Sequence, residues 1–434
     1  MSARHHSQPL TLDLTLLPDR QIVAAYRIAE PTHALHFPNE LGGYRVEAWR
    51  PEDGAFRWVT EGDGERVERA DGRPFTAVSF VIPIDYRELP KSYAPFSPFS
   101  EGSTLIHSGQ FHACPAAPCD NPDPLPILVE AVGATIGVGG RRSATRDRFV
   151  SRDDGTNIFV GTLEPVEADG FVAVIDTGLP PALRRILDRS LPQAMTYFAS
   201  VYGPLSFTPE LYVSIDDEPE KNGKVSTQGG TLPNQVFMHF DGENARERLA
   251  EEDPLWLEWF FAHEAAHLFQ QDKAGGLASD NTVAWIHEGG ADAMAALAMV
   301  QRGSTERSYA QSRLEQAQTA CAQGLATSPL NRATAEGNFD LHYQCGLIIW
   351  LALDHDLRRN GNANTGLHDL NLAFFAAVRS GQSWSEPLLL QIGGHEGASQ
   401  SLLKHITRLN DVRYTTGAVE ELGQLARISL QSDE

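Results

Sequence analysis

From residue 10 to residue 173, apolar side chains come in short alternating or β-branched runs, as at residues 10–16, 75–84 and 158–163, broken by clusters of Gly, Pro and Asp. A period of two places alternate side chains on one face, so this part of the chain predicts strands. Many short strands between turn residues predict an all-β, sandwich-like N-terminal domain over residues 1–175. Residues 90–126, rich in Pro and Ser, are expected to form a long surface loop.

Near Leu179 the period lengthens. Pro180 and Pro181 precede a stretch to Tyr202 in which Leu183, Ile186, Leu187, Leu191, Met195 and Phe198 recur at helical spacing. Residues 211–215 and 235–240 read as strands, and Gly229 to Pro233 reads as a loop or irregular edge between them. Helical patterns follow at 254–271, 284–301, 306–323, 345–358, 367–379, 400–409 and 419–425. The expected fold class is α+β and multidomain: the all-β domain, a mostly helical domain with a small sheet over residues 176–362, and a C-terminal helical region over residues 363–434. The last boundary is placed where Gly and Asn cluster, near residues 360–365.

Length and charge narrow the function. A chain of 434 residues exceeds one ordinary hydrophobic core. Its net charge of -22 repels phosphate backbones and anionic lipid, which argues against nucleic acid and membrane insertion. No run is long and apolar enough to span a bilayer, and the first ten residues lack the apolar stretch of a secretory signal, so a cytoplasmic location is the default expectation. Cys114 and Cys119 bracket a Pro-rich loop, and Cys321 and Cys345 complete the set. Free thiols in a reducing compartment are the plainer reading, and two disulfides are the other.

The chemistry concentrates at His263-Glu264-Ala265-Ala266-His267, inside the helical pattern 254–271. Two His four residues apart share one helix face, so both imidazoles can reach one ion. A catalytic zinc takes three protein ligands and leaves one position open. The third is expected from Trp285-Ile286-His287-Glu288-Gly289-Gly290-Ala291-Asp292, twenty intervening residues after His267, if a neighbouring antiparallel helix aims Glu288 at the ion. Asp292 stands one turn beyond Glu288, where its carboxylate would accept a hydrogen bond from a liganding imidazole, His263 for preference. Glu264, between the ligands, is the natural general base for a water on the zinc. An ordinary acidic helix face is the plain alternative for Glu288 and Asp292. His107, His112, His239 and His287 are further histidines of the region, none assigned a catalytic part.

These residues resemble the gluzincin clan, the thermolysin-like zinc peptidases in which H-E-x-x-H on one helix is completed by a Glu on the next. The stretch Trp285 to Ala291 is similar to the W-x-x-E-G-x-A pattern of the aminopeptidase N and glycyl aminopeptidase families, although the spacing from His267 is longer than is common there. Tyr343-Gln344-Cys345-Gly346 is similar to the Y-x-x-G helix start of the same families. That likeness implies that Tyr343 stabilises an oxyanion, a task a neutral phenol donor suits. Gly229 and Gly230 stand where the aminopeptidase N family has G-x-M-E-N, but no Glu is present. The glycines would let a substrate backbone approach an edge strand, or they form a simple turn.

The resemblance implies a thermolysin-like catalytic domain, a Zn²⁺ cofactor, peptide or protein substrates, and an aminopeptidase-like zinc hydrolase. A peptide-binding protein with a non-catalytic zinc site and a hydrolase of a non-peptide bond on the same fold remain as alternatives.

Overall fold

The computed structural model describes residues 10–431 except 39–40, 62–63, 90–91, 169, 218–224, 279, 361–365 and 414–415. The amino-terminal stretch before residue 10 and most of the boundary expected at residues 360–365 lie outside the described residues. The α-helices are α1 (Tyr44–Ala48), α2 (Pro181–Tyr202), α3 (Ala245–Glu251), α4 (Pro254–Ala274), α5 (Ala284–Val300), α6 (Ser304–Leu325), α7 (Asp340–Asn360), α8 (Leu367–Arg379), α9 (Glu386–Glu396), α10 (Gln400–Asp411) and α11 (Thr416–Ser429). The chain divides into two units, Met1–Pro181 with Thr208–Glu251, and Ala182–Phe207 with Glu252–Glu434. The small five-stranded sheet therefore groups with the first unit, and α2, which falls between its strands in sequence, with the second.

Alternation builds the first unit. In Leu10–Leu17 the residues Leu10, Leu12 and Leu14 are buried while Thr11, Asp13 and Thr15 are half-exposed. This strand pairs antiparallel with Gln21–Thr32 and parallel with Leu125–Val138, so the nine-stranded sheet is mixed. A three-stranded sheet of Ala34–Phe37, Gly64–Arg69 and Phe56–Glu61 shares its core. The Phe37 ring lies 5.9 Å from Tyr26 and 6.3 Å from Phe80, and Trp58 lies 5.3 Å from Phe80. Each fully buried aromatic of this kind contributes about 1.5–3 kcal/mol of transfer free energy.

The described residues of the loop expected at 90–126 are a surface loop only in part, since the stretch 112–124 is irregular and largely exposed while the residues before it are ordered and buried. They carry the strands Phe96–Pro98 and Thr104–His107 and a 3-10 turn at Ser108–Phe111. Phe96, Phe99, Leu105, Ile106 and Phe111 supply the buried apolar surface. The prolines misled because Pro is tolerated at an edge strand, and Phe96–Pro98 ends the sheet.

The five-stranded sheet runs Val166–Ala168, Phe171–Ile175, Glu210–Asp216, Gln235–Asp241, Ser226–Leu232. Its central members Glu210–Asp216 and Gln235–Asp241 pair in parallel and are buried at every position. Ser226–Leu232 is an antiparallel edge strand in which Gly229 faces Met238 and Gly230 faces Phe237. The turn comes after it, with Asn234 at φ 63°. Gly229 and Gly230 are therefore strand residues rather than a loop or turn. A Cβ on Gly230 would meet the Tyr93 hydroxyl at 2.5 Å, so packing excludes a side chain there.

The second unit is helical. Helix α4 begins where the Asp253 side chain accepts the Leu255 N–H at 3.0 Å with Pro254 in the first turn, and it ends at Gly275, whose φ of 84° suits glycine. Helix α5 is buried along nearly its whole length, and its many Ala and Gly residues let neighbouring helices come close. All four cysteines are paired, Cys114 with Cys119 and Cys321 with Cys345, the latter joining α6 to α7. The free-thiol reading is thus replaced by the two-disulfide one. No helix among the described residues is long and apolar enough to cross a membrane. The chain is α+β and multidomain, an N-terminal β region followed by a mostly helical C-terminal region.

Candidate metal centre

Helix α4 buries His263, Glu264, His267 and Gln270 along with its apolar residues. Burying four polar side chains is costly unless each finds a partner, so the partners show what the helix is built to do. His263 and His267 stand one turn apart with ring centroids 4.5 Å apart. Their Nε2 atoms converge on one oxygen of α5, Glu288 Oε2, at 3.3 and 3.0 Å. Together the three side chains present ligand atoms within 4.8 Å of one another.

The remaining ring nitrogens are committed elsewhere. His263 Nδ1 donates to Asp292 Oδ1 at 2.9 Å, and the same oxygen accepts the Trp259 Nε1–H at 2.8 Å. His267 Nδ1 donates to Gln270 Oε1 at 2.8 Å, while the Gln270 amide donates to the His287 carbonyl at 3.0 Å. With both Nδ1 atoms donating, neutral imidazoles would turn both Nε2 lone pairs toward a carboxylate, so the arrangement needs a positive charge, a proton or a cation, between them. That donor set, two imidazoles and one carboxylate with their outer bonds fixed, fits a zinc ion.

The electrostatics agree. Burial depresses the His263 imidazole pKa, but the Asp292, Glu288 and Glu264 carboxylates outweigh it and hold it well above the ordinary value. Burial pushes Glu288 up, yet His267, His263 and His287 together bring it well below the usual carboxylate range. Carboxylate and imidazoles thus compete for positive charge at one point, which a dication would supply.

Glu264 is buried on α4, and its charge reaches both His263 and Tyr343. Tyr343, in the first turns of α7, places its ring 5.7 Å from that of His263 at 35°. Burial, with the carboxylates of Glu288, Glu264 and Asp292, pushes its phenol above the ordinary value, so it is a neutral donor. Next to it, burial lowers the His342 pKa to about 4, and its Nε2 meets Thr334 Oγ1 at 2.9 Å.

Six of the residues singled out from the sequence (His263, Glu264, His267, Glu288, Asp292 and Tyr343) come together in the helical unit. Gly229 and Gly230 belong to the other unit. Three contributors were not assigned from the sequence. Gln270 is three residues after His267 and Trp259 four before His263, spacings that put both on the ligand face of α4. His287 lies with Nε2 3.3 Å from Glu288 Oε1 and its ring 6.2 Å from Trp384.

No protein-family model matches the chain, and no curated protein matches it in sequence. Among solved structures it is similar to an aminopeptidase N family protein from Idiomarina loihiensis, with TM-score 0.65 and 13% identity over 94% of this chain and 76% of that one. Weaker likenesses are to an M1 zinc metallopeptidase from Deinococcus radiodurans, with TM-score 0.44 and 17% identity over 99% of this chain and 94% of that one, and to native yeast LTA4 hydrolase, with TM-score 0.48 and 10% identity over 96% and 66%. Only the first bears on the fold, and at that identity it bears on the fold alone: the chain shares the fold of that aminopeptidase N family protein.

Proposed function

We propose that the protein is a zinc-dependent metallopeptidase, aminopeptidase-like in mode. The observation that carries this reading is the convergence of His263 Nε2 and His267 Nε2 on Glu288 Oε2 at 3.3 and 3.0 Å, with both Nδ1 atoms already donating elsewhere. His263, His267 and Glu288 would hold the ion, Asp292 and Gln270 would fix the imidazole tautomers, and bound zinc would supply Lewis acidity.

The chain's own groups divide the remaining work. The Glu264 carboxylate takes the proton from the attacking water and passes it to the departing amine nitrogen. The Tyr343 hydroxyl, kept neutral by its surroundings, donates a hydrogen bond to the oxygen that gains charge as the carbonyl carbon becomes tetrahedral. A site that only stabilised the fold would close its fourth position with a protein ligand and would have no use for a buried Glu264 beside it.

Cleavage from the amino end is supported by the likeness of the fold to an aminopeptidase N family protein. Digestion of a mixed peptide library with and without a chelator, read by mass spectrometry, tests the reading. Chelator-sensitive ladders lost from the amino end are expected, whereas an untouched library at one zinc per chain would refute peptidase activity.

A further inference from the structure

Tyr343 sits near the start of α7, and two of the next three residues tie that helix to two different neighbours. Gly346 packs against α5, where a Cβ would stand 2.7 Å from both Gly289 Cα and the Trp285 carbonyl oxygen. Cys345 is joined to Cys321 of α6, with their Cα atoms 5.0 Å apart. The glycine contact sets how closely α5 and α7 approach, but two backbones with no interlocking side chains can slide and rotate past each other. The covalent tie to α6 removes that freedom.

Helix α6 is in turn fixed to the metal helix. Arg302, just before it, pairs with Glu258 of α4 at 2.6 Å. Further along, the Tyr309 ring lies 6.3 Å from Trp259 and the Arg313 guanidinium stacks 5.4 Å above the same indole. Trp259 is the residue whose N–H bonds Asp292, the partner of His263. A continuous path therefore runs from the imidazole through Asp292, Trp259 and α6 to the disulfide, and from there to Tyr343.

We propose that the Cys321–Cys345 disulfide is a positioning device that holds the Tyr343 hydroxyl in register with the metal residues, serving turnover rather than metal binding. The inference rests on the part given to Tyr343 under the proposed function. Both cysteines are buried, so the bond is shielded from solvent thiols and acts as a permanent staple rather than a switch. A donor must sit within about 0.5 Å of its productive position, and a misplacement of about 1 Å lowers the rate by about 100-fold. A tie two residues from the phenol acts on that scale.

The test uses the full chain in three forms: wild type, Cys321→Ala/Cys345→Ala, and the milder Cys321→Ala, in which Cys345 keeps its volume as a thiol. Each is also made in a Tyr343→Phe background. The readouts are zinc content, kcat and KM, and amide hydrogen exchange over residues 340–346 with zinc bound. Breaking the tie should leave zinc content and KM nearly unchanged, lower kcat by about 10- to 100-fold, and speed exchange in the first turns of α7. In the Tyr343→Phe background the further fall should be no more than about twofold. The control Cys114→Ala/Cys119→Ala should leave kcat unchanged. An unchanged kcat, or an equal fall with and without Tyr343, would overturn the proposal. Should wild type cleave no peptide, the functional reading fails on its own and hydrogen exchange decides this one: unchanged protection over residues 340–346 would overturn it.

Discussion

Gly346 of α7 lies against Gly289 of α5 so closely that a Cβ built on Gly346 would stand 2.7 Å from the Gly289 Cα. Glu288 is the neighbour of one glycine, and Tyr343 stands one turn before the other, so the width of this contact sets how near the Glu288 carboxylate and the phenol come.

Gly346→Ala should therefore damage the centre as well as the packing. Overfilling a close helix contact costs about 1–3 kcal/mol. The expected outcome is a lower thermal midpoint together with weaker zinc retention in a chelator competition. A variant with wild-type zinc affinity and a lower midpoint would show that the contact serves packing alone.

Asp292 Oδ1 accepts hydrogen bonds from both His263 Nδ1 and Trp259 Nε1. Asp292→Ala leaves both donors buried and unpaired and frees the imidazole to rotate. Metal affinity should fall about 10- to 100-fold, measured by titration against a competing chelator. Affinity within about twofold of wild type would remove Asp292 from the account.

Glu386, in the first turn of α9, offers a pH test away from the metal. Burial, with the Asp411 charge adding and a Thr407 hydrogen bond partly offsetting, raises its pKa from 4.5 to about 7. Between those values the folded state keeps a proton that the unfolded chain has lost, so stability falls as pH rises through that window. Glu386→Gln should remove this slope and be more stable than wild type near pH 8 by on the order of 1–3 kcal/mol. Urea midpoints at about pH 5 and about pH 8 measure it. Parallel slopes in the two proteins would contradict the assignment.

The cluster of His263, His267 and Glu288 was readable in the sequence because the signal is local. Two His at a four-residue spacing share a helix face whatever surrounds the helix, and Glu288 and Asp292 repeat that spacing on the next one. Gln270 and Trp259 obey the same spacing, but an amide and an indole are common core residues and carry no mark of their task. The pairing of Cys321 with Cys345 depends on α6 and α7 lying side by side, which periodicity alone does not state. Pro and Ser hid the strands at residues 96–98 and 104–107, and two adjacent glycines hid the edge strand Ser226–Leu232. In the first of these tertiary burial overrode local propensity, and in the second it was pairing with Gln235–Asp241.

In the proposed function Glu264 is a base beside a catalytic zinc. Glu264→Gln keeps the size of the side chain and removes its ability to take a proton. With zinc content measured on the same sample, the variant should hold about one zinc per chain and lose peptide hydrolysis by about 100-fold or more. Hydrolysis at the wild-type rate with zinc in place would contradict the account.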